Sequence, residues 1–407
     1  MELVHEKCAG LDVHKETVVA CIRIAQGKKA ERVTQTFTTT TKSLLELGDW
    51  LMQHGVTHAV MESTGVYWKP VWQVLESFVD LWLANANEVR NLPGRKSDVN
   101  DAEWLADLLA HGLLKRSFVP ERPIEELREL TRTRKQTVRE ITRHSQRIDK
   151  ILQSANIKLR SVLSKVLGMT GKAVLRAMVE GEKDPKKLAQ LAQGTARNKI
   201  ERLEEALDGF VTDHHRFLLG QHLDAVEHLE RMVAAIETRL EEVMRPFAEA
   251  AERLETIPGI SKTAARVVIA EVGVDMSRFP TAGHLVSWAG LCPRLDESAG
   301  KRRSTRIRKG NPWLKTTLVQ SAWVAIRADG YLRARYHRVR SRAGKMKAII
   351  AVARTILTAA YAILGTEQPY RDLGPDFLEK RDRDKIARAL TRRLTRLGYE
   401  VDIRLAA

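Results

Sequence analysis

The sequence predicts an α/β domain followed by a long, mainly helical remainder. Over residues 1–115, short runs rich in β-branched residues alternate with stretches of helical periodicity. From about Pro120 to Pro246 the chain changes to long charged helices. After Pro246 it changes again, to apolar helices interrupted by a basic segment.

Five strands are predicted in the first part. They are bounded by Gly, Lys or Asn and cover residues 9–13, 17–23, 33–38, 59–62 and 81–84. Apolar residues at helical spacing predict helices over 43–54, 67–78 and 101–114. Three strands, a helix, a strand, a helix and a further strand fit a mixed α/β sheet.

The last long helix of the middle region carries heptads. Apolar residues repeat every seven positions in two series, Leu219, Val226, Val233 and Leu240, and Leu229, Ile236 and Val243. Such an a/d seam is typical of a coiled coil. An antiparallel hairpin within one chain and a homo-oligomeric coiled coil explain it equally well.

The third part begins with a short helix pair over 254–272. A loop-rich basic segment follows at about 290–312, then helices to about 365 and a tail with a basic helix over 384–397. The predicted domains are therefore 1–118, an α/β domain; 119–250, a helical coiled-coil region; 251–365, a mainly helical domain; and 366–407, a basic tail.

The positive charge of the chain is concentrated. The formal net charge is +17, and residues 301–347 alone hold fifteen Lys and Arg against one acid, Asp329. This favours a polyanionic partner. The three cysteines have no CxxC spacing, which argues against a disulfide framework or a zinc ribbon and suits a reducing cytoplasm. The apolar stretch 348–364 contains Arg354, so a buried helix is predicted rather than a membrane span.

Four acids of the first part fit a metal site. Asp12 lies within the first strand, Glu62 ends the fourth, and Asp98 and Asp101 lie three residues apart where a helix begins. This is the layout of RNase H-like nucleases. Four carboxylates within about 4 Å would repel by about 4 kcal/mol per pair at an effective dielectric near 20, so such a cluster must hold cations or protons. Oxygen ligands select Mg²⁺ or Mn²⁺. Taken singly, each acid could instead be structural.

The turn Ile257-Pro258-Gly259-Ile260 resembles a helix-hairpin-helix turn. Its glycine would let backbone N–H groups and a helix N-terminus approach a phosphate, with Lys262 beside it. A plain turn between two helices is the alternative.

Ser298 is the candidate nucleophile. It lies in a predicted polar loop with six cations among the next eleven residues. Clustered Lys and Arg could stabilise its alkoxide and bind the phosphate under attack. By local sequence alone, a serine in a loop is more often a turn former.

Together these motifs resemble the DEDD transposases of the bacterial insertion sequence 110/1111 family, recombinases with a RuvC-like domain. The resemblance runs in order through nearly the whole chain. It comprises Gly-Leu-Asp at 10–12, Glu-Ser-Thr-Gly at 62–65, Lys-Ser-Asp-x-x-Asp-Ala at 96–102, a helical middle, Ile-Pro-Gly-Ile at 257–260, and Ala-Gly-Leu-x-Pro-Arg to Glu-Ser at 289–298. Some members have Gly directly after the serine, whereas Ala299 precedes Gly300 here.

The resemblance implies specific roles. Asp12, Glu62, Asp98 and Asp101 would be the catalytic, metal-binding set for Mg²⁺ or Mn²⁺, and Ser298 would form a covalent phosphoserine link to DNA. The partners would be element and target DNA, a structured guide RNA, and further copies of the chain in a dimer or tetramer with composite active sites. The expected nucleic-acid-binding residues are Gly259, Lys262, Lys301, Arg302, Arg303, Arg306, Arg308, Lys309, Arg335, Arg338, Arg340 and Arg342.

The predicted function is an RNA-guided, cytoplasmic transposase or site-specific recombinase without a membrane partner. One rival is a RuvC-like hydrolytic nuclease or junction resolvase in which Ser298 is structural. A second rival, of another class, is a non-catalytic nucleic-acid-binding scaffold.

Overall fold

A computed structural model of the chain describes residues 3–26, 29–63, 65–90, 92, 100–293, 296–298, 301–304 and 306–402. The chain divides into two compact units, residues 1–119 and 120–407. The finer boundaries within the second unit stay predictions.

The first unit alternates strands and helices. Its elements are β1 (Lys7–Val13), β2 (Thr17–Gln26), β3 (Lys29–Thr38), α1 (Thr41–Gln53), β4 (His58–Glu62), α2 (Trp68–Leu75), β5 (Asp80–Ala84), α3 (Ala86–Arg90) and α4 (Asp101–Ala110). All five predicted strands are present, and four of them begin one to four residues earlier than predicted.

The described strands of this unit form one mixed sheet in the order β3-β2-β1-β4-β5. The first three strands are antiparallel, whereas β4 runs parallel to both β1 and β5. Because side chains alternate along a strand, each face of the sheet has its own core. Leu11 and Met61 belong to the core that includes residues of α1 and α2, while Cys8 and Val60 belong to the core that includes residues of α4.

The second unit is almost entirely helical in its described part. Its first helices are α5 (Arg122–Ser154), α6 (Leu159–Val162), α7 (Met169–Glu180), α8 (Pro185–Gln190), α9 (Ile200–Leu207) and α10 (Asp213–Met244). They are followed by α11 (Ala248–Glu255), α12 (Lys262–Val272), α13 (Ala282–Trp288), β6 (Asp296–Ser298), β7 (Lys301–Ser304), α14 (Pro312–Ala325), α15 (Tyr331–Ala343), α16 (Lys345–Thr366), α17 (Phe377–Arg381) and α18 (Arg383–Arg396). Three 3₁₀ turns cover Gly194–Lys199, Arg245–Phe247 and Met276–Arg278.

The heptads of α10 pack within the chain. Helices α5 and α10 lie side by side along much of their length. Leu219 and Val226 are buried in a core with Ile148 and Leu152 of α5, and Leu240 is buried in the next core along the bundle. The structure therefore contains the intramolecular helix hairpin, and a homo-oligomer stays a proposal.

Helix α16 lies in the centre of the C-terminal core. By length and composition alone it could cross a membrane. Its residues Ile349, Val352, Ile356 and Leu357 are nevertheless fully buried among residues of α12, α13 and α14. The apolar sequence of this helix is thus accounted for by packing inside the protein.

Candidate catalytic acids and serine hairpin

Two of the four predicted acids lie side by side in the sheet. Leu11 of β1 pairs with Met61 of β4 in parallel register, so Asp12 and Glu62 occupy the next positions of adjacent strands. Adjacent strands are about 4.8 Å apart. Both residues are half-buried and, by alternation, both are on the face of the sheet that packs against α4. The Oδ2 atom of Asp12 lies 3.1 Å from Nε2 of His14.

Helix α4 lies directly against β1 on this same face. A Cβ added to Gly10 would lie 2.0 Å from the carbonyl oxygen of Ala102 and 2.5 Å from the backbone nitrogen of Ala106. The thiol of Cys8 donates to the carbonyl of Ala106 at 3.5 Å. Moving along the strand toward Asp12 therefore means moving toward the N-terminus of α4. Only a glycine at position 10 permits this approach.

Asp101 is the first residue of that helix. Asn100 caps it by accepting a hydrogen bond from the backbone N–H of Ala102 at 3.2 Å. The N-terminus of α4, with Asp101, therefore lies toward the Asp12 end of β1. Asp98 lies outside the described residues. Among the described residues, no three His, Cys, Asp or Glu side chains are close enough together to hold a metal ion.

The acids that are described fit a hard divalent ion by their chemistry. Asp12, Glu62 and Asp101 are carboxylates, and Mg²⁺ and Mn²⁺ prefer oxygen ligands. Two of them share one face of the sheet, and the third begins the helix that covers this face. That these three residues and Asp98 hold the metal stays a prediction.

Two ion pairs that sequence reasoning missed hold α4 in place. Asp107 accepts a hydrogen bond from Arg23 of β2 at 2.8 Å and a second from Arg32 of β3, also at 2.8 Å. Arg23 is only 9% exposed. The one available signal was an acid on the predicted 101–114 helix, an arginine at the end of the second predicted strand and another directly before the third, which does not by itself identify a pair.

Ser298 is at the end of a short strand, so the predicted polar loop is wrong at this point. Strands β6 and β7 form an antiparallel hairpin in which Ser298 pairs with Lys301 and Glu297 pairs with Arg302. The side chains of these four residues lie outside the described part of the chain. A three-residue strand is too short to show an alternating pattern, which is why the sequence did not predict it.

The base of this hairpin is closed by backbone contacts. Pro293 forms an isolated antiparallel bridge with Ile307. One residue further out, the N–H of Arg308 donates to the carbonyl of Cys292 at 3.3 Å. Beyond them the backbones of Gly290 and Gly310 touch, because a Cβ on Gly310 would lie 2.4 Å from the nitrogen of Gly290.

A buried carboxylate fixes the chain where it leaves the hairpin. Glu271 of α12 is fully buried. Arg132 of α5 donates to both its oxygens at 2.8 Å, and the amide of Asn311 donates at 2.5 Å. Arg128 donates to the backbone carbonyls of residues 270 and 271. The sequence signal was a lone acid in the apolar run Val267–Val272, but its partners Asn311 and Arg132 are 40 and 139 residues away.

The predicted nucleic-acid-binding residues are distributed over the C-terminal part of the second unit. Arg306, Arg308 and Lys309 are exposed beyond the hairpin. Lys301, Arg302 and Arg303 lie on β7, with side chains outside the described residues, and Arg335, Arg338, Arg340 and Arg342 lie on α15.

Several of these predicted residues already make contacts within the described part of the protein. Arg338 donates to Asp382, and hydrogen bonds from Arg381 and then Arg338 lower the pKa of that carboxyl to about 2. Lys262 donates to Glu241 at 3.0 Å. Gly259 packs against the backbone of α14, since a Cβ there would lie 2.3 Å from the carbonyl oxygen of residue 321.

Two family profiles match this chain. A profile of DEDD transposases from insertion sequence IS110 matches residues 9–157, and a profile described as a transposase of the IS116/IS110/IS902 family matches residues 251–337. Together they cover more than half of the chain. The chain belongs to the IS110 family of transposases.

Known proteins of this kind are similar over parts of their length. The chain is 36% identical over 114 residues to an insertion element IS110 uncharacterized 43.6 kDa protein of Streptomyces coelicolor, covering 27% of this chain and 28% of that protein. It is 24% identical over 273 residues to the putative transposase y4qE of Sinorhizobium fredii, covering 66% and 58%. It is 27% identical over 154 residues to a pilin gene-inverting protein of Moraxella bovis, covering 36% and 48%. The chain thus spans well under two thirds of the length of each relative.

Membership of the IS110 family agrees with the fold of both units. The mixed five-stranded sheet of the described 1–119 region is consistent with the RNase H-like domain of DEDD enzymes, and the remainder is mainly helical as predicted. The first profile contains Asp12, Glu62 and Asp101, and the second contains Ser298. A DEDD family implies a divalent metal.

Proposed function

We propose that this protein is a transposase or site-specific recombinase of an insertion sequence. It exchanges DNA strands through a covalent serine–DNA intermediate, depends on Mg²⁺ or Mn²⁺, and is guided by an RNA encoded in the same element. The observation that carries this proposal is the placement of Asp12 and Glu62 on adjacent parallel strands, on the face covered by α4.

The acid set supports the metal dependence. Half-buried carboxylates at neighbouring strand positions repel one another unless a cation lies between them. The ion held by Asp12, Glu62, Asp98 and Asp101 would supply charge stabilisation for the attacking and leaving oxygens of a phosphodiester. Asp107 contributes by holding α4, and with it Asp101, against the sheet.

The hairpin supports the serine chemistry. In the proposed first step the Ser298 Oγ forms a bond to phosphorus as one phosphodiester P–O bond of the strand breaks. The serine loses its proton, and the departing strand oxygen gains one. The second step is the reverse reaction with the hydroxyl of another strand. Splitting the transfer in this way conserves the ester bond energy that hydrolysis would lose. The backbone contacts at the base of the hairpin limit the movement of the two strands from which Ser298 would act.

The relatives support DNA rearrangement as the outcome. The names of two matched proteins are a putative transposase and a pilin gene-inverting protein, and both transposition and inversion require strand exchange rather than strand cutting alone. Guidance by RNA and action as a dimer or tetramer rest on the resemblance of the sequence motifs. The cations of 301–347 would contact RNA, DNA or both.

The decisive experiment replaces Ser298 by Ala. The S298A protein should form no denaturation-resistant complex with element DNA, while RNA binding stays near normal. S304A is the matched control, since Ser304 is on the opposite strand of the same hairpin. Mass spectrometry of a trapped wild-type reaction should find a nucleotide attached to the peptide that contains Ser298. Strand exchange by S298A would refute the proposed serine chemistry.

Two other outcomes would favour the rivals. Free 5′-phosphate and 3′-hydroxyl ends without any covalent complex would indicate a hydrolytic nuclease. Unchanged DNA rearrangement by the D12N protein would indicate a scaffold without catalysis by this acid set.

A further inference from the structure

A cavity of about 260 Å³ lies in the first unit, at the C-terminal end of β5. The end of this strand, helix α3 with the residues that follow it, and the segment after α4 form its walls. Sites for drug-sized ligands typically have volumes of about 300–1,000 Å³. A slightly smaller cavity suits a ligand of one or two rings.

This cavity continues the row of strand ends that carries two of the candidate acids. Ala84 of β5, which lines the cavity, pairs in parallel register with Glu62 of β4. Ala84 also belongs to the core on the α4 face of the sheet, the face of Asp12 and Glu62. The N–H of Ser63 donates to the carbonyl of Ala84 at 2.9 Å and holds the two strand ends together. Since adjacent strands are about 4.8 Å apart, the cavity begins one strand away from Glu62.

The segment after α4 forms a second wall of the cavity. The N–H of Ser117 donates to the carbonyl of Leu83 at 2.7 Å, so this segment passes beside β5. Two consecutive leucines of the segment line the cavity. Leu114 is buried in the same core as Ala84, whereas Leu113 is 41% exposed. The wall therefore extends from the core to the surface, where a ligand can enter.

The chemistry of the lining fits a flat apolar ring with a polar edge. Val89 and Leu92 add to the aliphatic wall. Asn85, Glu88 and Lys115 are exposed and contribute an amide, a carboxylate and an ammonium. A nucleobase has such a ring and such an edge, and side-chain amides and carboxylates are groups that distinguish one base from another. The carboxylate of Glu88 makes the same lining unsuitable for a phosphate.

We propose that this cavity binds one nucleobase of the DNA strand whose phosphate lies at the acid set, after that base has left the helix stack. Taking a base out of the stack costs free energy, which contacts with the aliphatic wall would offset. Holding the base one strand away from Glu62 would fix which phosphodiester reaches the acids, and Asn85 would help to select the base. The inference rests on the proposed function in taking DNA as the substrate.

The test follows single bases by fluorescence. Element-end duplexes carry 2-aminopurine at one position at a time around the exchange point, and each is bound with element RNA present. At one position the fluorescence should rise several-fold with wild type, because the probe no longer stacks on its neighbours. N85A and L113A should each lose at least half of this rise. Q53A removes an exposed amide and L45A a leucine that is 46% exposed, both on α1 and outside the cavity, so they should keep the full rise.

Binding to DNA that lacks the same base provides a second measurement. N85A should bind ordinary element DNA about tenfold more weakly than wild type does, because one base-specific contact is lost. On DNA with an abasic site at that position, wild type and N85A should bind equally. Helix α3 begins directly after Asn85, so L113A decides the result if N85A does not fold.

The outcomes separate this inference from the serine chemistry. An equal fluorescence rise in wild type, N85A and L113A would locate the base elsewhere and overturn the inference. The absence of a rise at every position, in a wild type that forms the covalent complex, would overturn the inference alone. A rise that depends on Asn85 and Leu113, in a wild type without a covalent complex, would support the cavity and reject the serine chemistry. A wild type that does not bind element DNA would refute both.

Discussion

The side-chain amide of Asn311 donates a hydrogen bond of 2.5 Å to the buried carboxylate of Glu271. The carbonyl oxygen of the same amide accepts from the backbone N–H groups of Trp313 and Leu314, which caps α14. One side chain thus ties the chain leaving the serine hairpin both to α12 and to the start of the next helix. Arg132 of α5 adds a third element to this junction.

Replacing Glu271 by Gln should strongly destabilise the second unit. A neutral amide cannot accept both bonds from Arg132, and it removes the negative charge that lies 3.5 Å from Arg128, whose side chain is only 14% exposed. Breaking a buried ion pair in this way costs about 3–5 kcal/mol. Urea unfolding measures the loss. E249Q is the control, because Glu249 pairs with Arg253 on the surface at 3.5 Å and should contribute about 0–1 kcal/mol. Equal urea midpoints for E271Q and E249Q would contradict a stabilising role for Glu271.

Replacing Gly10 by Ala should displace α4 from the sheet. The new Cβ would lie 2.0 Å from the backbone of Ala102, so the helix must shift. We expect a loss of about 1–3 kcal/mol, as for other overpacked cores, and reduced metal-dependent activity because Asp101 shifts with the helix. Thermal unfolding and a strand-exchange assay measure the two effects. G283A should be tolerated, since a Cβ there meets only a side-chain oxygen at 3.4 Å.

Divalent metal should stabilise the wild-type protein through its acid set. Mg²⁺ bound to the folded state raises the melting temperature by mass action, and it also removes the repulsion between neighbouring carboxylates. Removal of Mg²⁺ with a chelator should reverse the shift. The melting temperature of D12N should equal or exceed that of metal-free wild type, and Mg²⁺ should change it little. E46Q, an exposed acid on α1, should respond as wild type does. A D12N protein with the full Mg²⁺ shift would place the metal elsewhere.

The packing of α5 against α10 should weaken in mild acid. Nδ1 of His144 and Nδ1 of His222 lie 3.2 Å apart, so one ring donates to the other. Burial, His144 and Arg147 lower the pKa of His222 below its ordinary 6.5. The folded state therefore favours the neutral ring, and stability present above pH 6.5 is lost as the pH falls below that value.

Thermal unfolding between about pH 7.5 and pH 5 checks this dependence. H222Q should lose less stability over that range than wild type. His228 lies exposed on the same helix, so H228Q should behave as wild type. Parallel pH profiles for wild type and H222Q would show that this histidine pair is not responsible.

Elements with long, regular patterns could be predicted from the sequence. The five strands of the sheet and the apolar helix α16 follow from patterns that persist over several residues. In the pair predicted over 254–272, the second helix is present as α12, but the first lies earlier, at Ala248–Glu255. The β6–β7 hairpin could not be predicted, because strands of three and four residues, all of them charged or serine, carry no apolar alternation. The heptads of α10 predicted a helical partner but not its identity, since an intramolecular and an intermolecular seam have the same pattern.

By itself, the sequence determined the residue types of the candidate site and their order along the chain. Asp12 could be recognised as unusual because a carboxylate interrupts an otherwise apolar strand, Glu62 because it ends a strand directly before a turn, and Ser298 because six cations follow it closely. These features depend only on neighbouring residues, so they can be read from the sequence.

Only the tertiary structure decided which residues are brought together. The register of β1 against β4 sets Asp12 beside Glu62, and Gly10 is needed because a helix ninety residues later lies directly on it. In the sequence, Glu271 is only a lone acid in an apolar run, and Lys135 is one lysine of a charged helix. The carboxylate of Glu271 accepts hydrogen bonds from Arg132 and Asn311, whereas the Nζ of Lys135 has no hydrogen-bond partner in the described structure. Burial and pairing are properties of the packed chain and not of any one segment.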